Sequence, residues 1–250
     1  MSNLYIYAVI RSEDAREIDL PPVAEPMQKV ACHQVGPIAV VVSPTEQTEI
    51  MSTRRNMLSH TKILEEIVRD RPVLPFRFGV IATGLARIES ILGARARELR
   101  GTLDSMADLI EVGVRLTFQE REIFQKIVEA HPDLRRRGES LKRRPKAETY
   151  YEQIDLGRAV EEKLSQQRAA LGDAISQRLA PFAERAIRHK TFEDMAIYSA
   201  ALLVRREQEP ALFAEVQKIE AEFGDRVAMK YVSPAPPYHF VSIRLDAQAA

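Results

Sequence analysis

The chain of 250 residues has no tryptophan and a single cysteine, Cys32. One cysteine excludes an intrachain disulfide and any zinc site built on several thiolates, and it fits a reducing compartment such as the cytoplasm. Charge of one sign is missing as well, since 36 Lys and Arg stand against 36 Asp and Glu. With no excess, no global field draws the chain to nucleic acid or to an anionic membrane surface. No apolar run approaches the roughly 20 residues of a spanning helix. The opening "MSNLYIYAVIRSEDAR" lacks the basic segment, apolar core and small-residue cleavage pattern of an export signal. These absences predict a cytoplasmic protein with no membrane span. An apolar content of 45% with 29% charge, and no long low-complexity tract, predict a packed core.

Motifs of enzyme chemistry are also scarce. "GLARIESILG" lacks the lysine and hydroxyl residue of a phosphate loop, and no G-x-G-x-x-G follows a strand. The histidines, His33, His60, His131, His189 and His239, are dispersed without metal-ligand spacing. Neither a G-x-S-x-G elbow nor a cysteine in a nucleophile setting is present. No cofactor, metal or catalytic residue is expected. An enzyme with a site between domains and an RNA-binding module are the alternatives. The second lacks the aromatic-rich strand signature of an RNA platform.

Apolar periodicity then gives the elements. "LYIYAVI" reads as a strand, and Lys29–Val35 and Ile38–Val42 read as a hairpin around Gly36-Pro37. Thr53–Asp70 reads as a helix with Met57, His60, Leu64, Ile67 and Val68 as its apolar stripe, stopped by Pro72. His60 on that stripe is expected to be a satisfied boundary histidine. A further helix begins near Leu85, with Ile88, Ile91, Leu92, Ala96 and Leu99 inward. A polar connector over Gly101–Asp108 separates this part from the rest.

Beyond it, Leu109–Phe118 is a strand, and "QEREIFQKIVEA" is a helix closed by His131-Pro132. The basic run "LRRRGESLKRRPK" reads as a solvated loop. Arg158–His189 reads as a coiled-coil-like helix broken or kinked at Pro181. "MAIYSAALLV" is a buried strand, Glu209–Phe223 a helix stopped by Gly224-Asp225, and "RVAMKYVSP" a strand, with a last strand after the proline cluster. The expected architecture is α+β in two domains, residues 1–105 and 106–250, each a small, mostly antiparallel sheet covered by helices.

One segment resists a plain reading. In "RPVLPFRFGVIATG", a period of two puts Leu74, Phe76, Phe78 and Val80 on a core face, and Val73, Pro75, Arg77 and Gly79 on the other. Pro75 cannot donate to a ladder, which predicts an edge strand or one with an irregular side. Arg77 between a proline and a glycine has an accessible guanidinium, or else an intramolecular partner.

Taken in order, these features resemble the gas vesicle protein F/L family (GvpF/GvpL). The "YxY"-like first strand is matched by "LYIYAVI", the histidine-bearing helix before "vLPxRFG" by His60 and "VLPFRFG", and the closing "PPYxFV" by Pro236, Pro237, Tyr238, His239, Phe240 and Val241. The family's Gly-Pro-Trp before the last motif is replaced here, with Ser233 for the glycine and Ala235 for the tryptophan. The basic run 135–146 lies outside the pattern.

The resemblance implies a ferredoxin-like N-terminal domain and a helix-rich α+β C-terminal domain with long coiled-coil-like helices. It also implies a non-enzymatic accessory or minor structural protein of gas vesicle formation. Such a protein binds the small, hydrophobic major shell protein, and other accessory proteins, during nucleation and assembly, and limits aggregation of the shell protein. Arg77, Pro75, Phe76, Tyr238 and Phe240 are the candidate partner-binding residues.

Overall fold

The computed structural model describes residues 3–23, 29–119, 127–190 and 195–243. By its contacts the chain divides into two compact units: residues 1–112 with 203–206 and 232–250, and residues 113–202 with 207–231. The fold is α+β with two antiparallel sheets, as the sequence predicts.

The first unit is organised by β1 (Asn3–Arg11), which pairs antiparallel with β3 (Ile38–Thr45) on one side and with β4 (Leu74–Pro75) and β5 (Ile81–Thr83) on the other. β2 (Ala31–Val35) extends the sheet beyond β3 through the predicted hairpin, whose Gly36 has φ +60°. β1 is apolar throughout because both of its faces are covered. Leu4, Ile6 and Val9 join the core beneath α2 (Leu85–Ala94) and α3 (Ala96–Ser105), while Tyr5, Tyr7, Ala8 and Ile10 join the core beneath α1 (Arg54–Val68). Strict alternation would send Tyr7 and Ala8 to opposite faces. A register irregularity between Ile6 and Ala8 resets the phase and keeps both on the α1 side.

α1 begins where Thr53 accepts from the Asn56 N–H at 3.2 Å. Its buried residues are His60, Ile63, Leu64, Ile67 and Val68; Met57, expected on the stripe, is 49% exposed. Met57 lies in the first turn, ahead of the part of α1 that meets the sheet. At the other end Arg206 donates to the carbonyls of Val68, at 2.7 Å, and Arg69, at 2.8 Å. A fixed cation satisfying terminal carbonyls complements the helix dipole.

The single helix expected after Leu85 is two, divided at Arg95 (φ −107°, ψ 5°). Of its expected inward residues, Ile88, Leu92, Ala96 and Leu99 are buried across that break and Ile91 is partly buried. The connector read over Gly101–Asp108 is also corrected: Gly101 is inside α3, where Leu99 and Leu103 supply the helical spacing that the polar residues conceal.

The second sheet runs β7-β8-β6-β9, with β6 Leu109–Phe118, β7 Arg185–Arg188, β8 Ala196–Arg205 and β9 Val227–Ala235. In the second unit, most of the basic run is helical and only its end is a turn. Pro132 opens α4 (Pro132–Lys142) at its first turn, Asp133 favours that end, and Leu134 and Leu141, two turns apart, are buried. Residues 127–130 are helical, and the rest of the helix read before them lies outside the described residues.

α5 (Tyr150–Leu179) starts before the predicted Arg158. It ends at a short 3-10 turn containing Pro181, so residues 185–188 are free to form β7 instead of continuing the helix. Only Leu164, Gly172, Ile175 and Leu179 of α5 are buried. α6 (Glu209–Phe223) has its predicted bounds, stopped by Gly224 at φ +57°. Arg178 of α5 ties the two helices together, reaching Glu215 at 2.8 Å and Glu222 at 2.6 Å. The last predicted strand is absent over residues 236–243, where turns form around Pro236 and Pro237. Residues 244–250 lie outside the described residues.

Candidate functional site

The proline–arginine segment lies along the open side of β1, as an edge strand should. It does so in two pieces. β4 pairs Pro75 with Ala8, and the backbone continues far enough for the Phe76 N–H to bond Tyr7 O at 2.8 Å. The chain then turns at Phe78-Gly79, where Gly79 has φ +91°, before Val80 O accepts from Ile6 N at 2.9 Å and β5 resumes the ladder. The turn ends the period of two. Leu74, Phe76 and Val80 pack in the core beneath α2 and α3, as predicted, but Phe78 packs with Val73 and Ile81 on the α1 side. Arg77 is exposed on this turn-bearing stretch. Among the described residues it has no ion-pair or hydrogen-bond partner, so the internal bridge considered for it is not made.

That bridge is made by tyrosine. The hydroxyl of Tyr238 lies 2.9 Å from His60 Nε2 and 3.3 Å from Phe76 O, and His60 Nδ1 lies 3.0 Å from the hydroxyl of Tyr5. Gly79 N, on the turn beside Arg77, donates to Tyr5 Oη at 3.1 Å. One direction of donation satisfies every atom: Gly79 N–H to Tyr5 Oη, Tyr5 O–H to His60 Nδ1, His60 Nε2–H to Tyr238 Oη, and Tyr238 O–H to Phe76 O. The reverse tautomer would leave the Tyr5 proton and Phe76 O without partners, so bookkeeping assigns the Nε2–H form.

Burial acts on each member. It pushes the His60 pKa down from 6.5 to about 4 and raises the phenol pKa values of Tyr5, Tyr7 and Tyr238. The neighbouring Glu111 carboxylate adds to the effect at Tyr238. The network is neutral across the physiological range. His60 is 3% exposed and stacks on Tyr7, with ring centroids 5.7 Å apart, while Tyr5 and Phe78 meet it edge-on. It is thus a satisfied core histidine.

The "PPYHF" element is held at a second point. Buried Glu111 accepts from His239 N at 3.0 Å and lies 2.6 Å from His239 Nδ1. Of the residues expected to bind a partner, Pro75 and Phe76 are buried, Phe240 is half-buried, Tyr238 is 38% exposed with its hydroxyl engaged, and Arg77 is exposed. The structure brings Phe76 and Tyr238 together directly, and links the Arg77 turn to them through Gly79 and Tyr5. The sequence reading missed Tyr5 and Glu111. "YIY" was seen as a strand, yet nothing local marks its first tyrosine as a partner of residues 60 and 238.

This arrangement can hold a closing segment against a sheet edge and present a cation beside it. Among the described residues, no group of three or more His, Cys, Asp and Glu side chains is placed to hold a metal ion, and no helix is long and apolar enough to cross a membrane.

Comparison with known proteins gives concordant results. A family model described as gas vesicle synthesis protein GvpL/GvpF matches residues 3–242. Gas vesicle protein F of Dolichospermum flosaquae is 26% identical over 243 residues, covering 96% of this chain and 98% of that protein. Gas vesicle protein F1 of Halobacterium salinarum is 25% identical over 249 residues, covering 98% and 96%. The crystal structure of GvpF from Anabaena is similar in fold, with a TM-score of 0.74 at 23% identity over 98% of both chains. That of GvpF from Microcystis aeruginosa also has a TM-score of 0.74, at 22% identity, over 96% of this chain and 99% of the other.

Proposed function

The chain belongs to the gas vesicle synthesis protein GvpL/GvpF family, with the role in gas vesicle formation that membership carries, and from that premise we propose that it is a non-enzymatic accessory or minor structural protein that binds the major shell protein. The match across residues 3–242 is the observation that supports this reading. A small shell subunit with a large apolar face aggregates unless that face is covered before it joins the growing wall. In this reading the protein acts in the cytoplasm and on vesicles, and contacts other accessory proteins as well.

The surface proposed for the shell protein is the edge of the first sheet at Arg77, with Tyr238 hydrogen-bonded to the adjoining Phe76, Phe240 on the same closing segment, and the buried Pro75 and Phe76 shaping it. Pro75 and the turn at Gly79 interrupt regular strand pairing there, which protects the edge from indiscriminate addition of strands. Arg77 supplies a planar donor for a carboxylate or a chain-terminal carbonyl.

The test is retention of the purified shell protein by the full chain and by its Arg77→Ala variant. Lost retention with an unchanged melting temperature supports docking at Arg77. Equal retention by both moves the binding surface elsewhere, and no retention by the parent chain overturns shell-protein binding itself.

A further inference from the structure

In the second unit, α4 and α5 pack side by side, with van der Waals contact at Gly138, where an added Cβ would lie 3.7 Å from Leu156 Cδ2. Beside that contact lies a cavity of about 600 Å³, walled by Leu141, Leu156, Val160 and two glycines, Gly138 and Gly157. Its remaining lining is largely basic, from Lys142, Arg144 and Lys146. The chain carries no net charge, yet between Leu134 and Ala147 it places seven cations against the single carboxylate of Glu139. Arg144 is paired with Glu152, at 2.8 Å. Among the described residues, Lys142, Lys146 and the arginines at 135, 136, 137 and 143 have no ionic partner.

Apolar walls, an open wall position at Gly157 and unpaired cations on the lining together define what fits. The geometry points to a docking groove for an amphipathic helix of a partner protein, with an aliphatic stripe flanked by carboxylates. At Gly157 an added Cβ would meet nothing within 4 Å, so a partner side chain or backbone can approach closely there. The basic side chains can lay their stems on the apolar contact while their charged heads meet acidic residues at its margin. α4 has eleven residues, so at about 1.5 Å per residue it offers a seat about 16 Å long, near three turns of a partner helix.

Single-stranded nucleic acid would require aromatic platforms, whereas the walls are aliphatic. A membrane surface would require the apolar groups on a convex face, whereas here they line a concavity. The groove does not depend on shell-protein binding at the first unit, so the two proposals fail separately.

The experiment uses the full chain and a fluorescent peptide of about 18 residues, built from leucine at helical spacing with glutamate on the flanks. Anisotropy is measured beside a scrambled peptide of the same composition, a lysine-for-glutamate peptide, anionic phosphatidylserine vesicles and a single-stranded RNA. Binding of the amphipathic acidic peptide at least about ten-fold tighter than the scrambled and reversed peptides is expected.

Gly157→Phe fills the groove from a position whose Cβ meets nothing within 4 Å, so it should keep the fold and its melting temperature while weakening binding by about ten-fold or more. Lys142→Glu with Lys146→Glu should weaken it too. Equal binding of the scrambled peptide, indifference to Gly157→Phe, or tighter binding of vesicles or RNA than of the peptide each overturns the proposal.

Discussion

At the centre of the first unit, His60 has both ring nitrogens engaged by hydroxyls and is almost sealed from water. In α4 and the turn after it, most cations have no ionic partner among the described residues and stand in solvent. Both regions are polar groups beside apolar walls, but they answer different demands. A polar atom inside must be satisfied by the chain itself, because leaving it unpaired costs about 1–3 kcal/mol. A charged group outside is satisfied by water and can exchange that water for a partner. The first arrangement therefore reads as a device for holding structure and the second as one for meeting something else.

The largest effect should come from breaking the closed network. His60→Ala removes a buried ring and strands the Tyr5 hydroxyl, so a loss of about 3–5 kcal/mol is expected. The denaturant midpoint, at constant slope, would measure it. A midpoint shift below about 1 kcal/mol would show that the network is not what holds "PPYHF".

Acid should probe the same point more gently. Burial holds the folded His60 pKa at about 4, below the ordinary 6.5. Between these values the unfolded chain binds a proton that the folded chain refuses, so stability present at neutral pH is lost as pH falls through this window. The loss is about 2 kcal/mol by pH 5. His60→Gln should lower stability at pH 7 but flatten this part of the pH profile. An equally steep profile in the variant would place the acid sensitivity elsewhere.

The strands were the most legible part of this sequence, and the reason is physical. β1 is covered on both faces and so shows a continuous apolar run, and the Gly36-Pro37 pair marks its hairpin neighbours locally. The network was not legible, because Tyr5 and His60 are 55 residues apart and His60 and Tyr238 are 178 apart, and no local pattern records such a meeting. Phe78 was assigned to the wrong face because the alternation ignores a turn that Gly79 permits. α4 was hidden by its charge: arginines and lysines dominate the window, while only Leu134 and Leu141 are buried. For Arg77 the sequence left an accessible cation and an intramolecular partner both open, and only tertiary placement decides between them: it is exposed, with no ionic or hydrogen-bond partner among the described residues.

Within α5 the same contrast between closed and open recurs on one helix, at two glycines. An added Cβ at Gly172 would lie 2.7 Å from Ile197 O and would overlap a terminal nitrogen of Arg188. The arginine can swing away, but the strand carbonyl cannot. Gly172→Ala should therefore destabilise by about 1–3 kcal/mol, even though alanine is the better helix former by about 1 kcal/mol. A melting temperature at or above the parent's would show that α5 does not pack on β8 as closely as described.

The smallest expected effect has the opposite sign. Gly157, also inside α5, meets nothing within 4 Å of its built Cβ, so Gly157→Ala changes only helix propensity and the entropy of the unfolded chain. A gain of about 0.5–1 kcal/mol follows, seen as a rise in denaturant midpoint. This outcome separates structure from use. A glycine whose replacement stabilises the chain is not there for its fold, and its value lies in the space left between α4 and α5. If Gly157→Ala destabilised the chain instead, that space would be occupied by the chain itself, and the contrast between the closed network and the open groove would no longer hold.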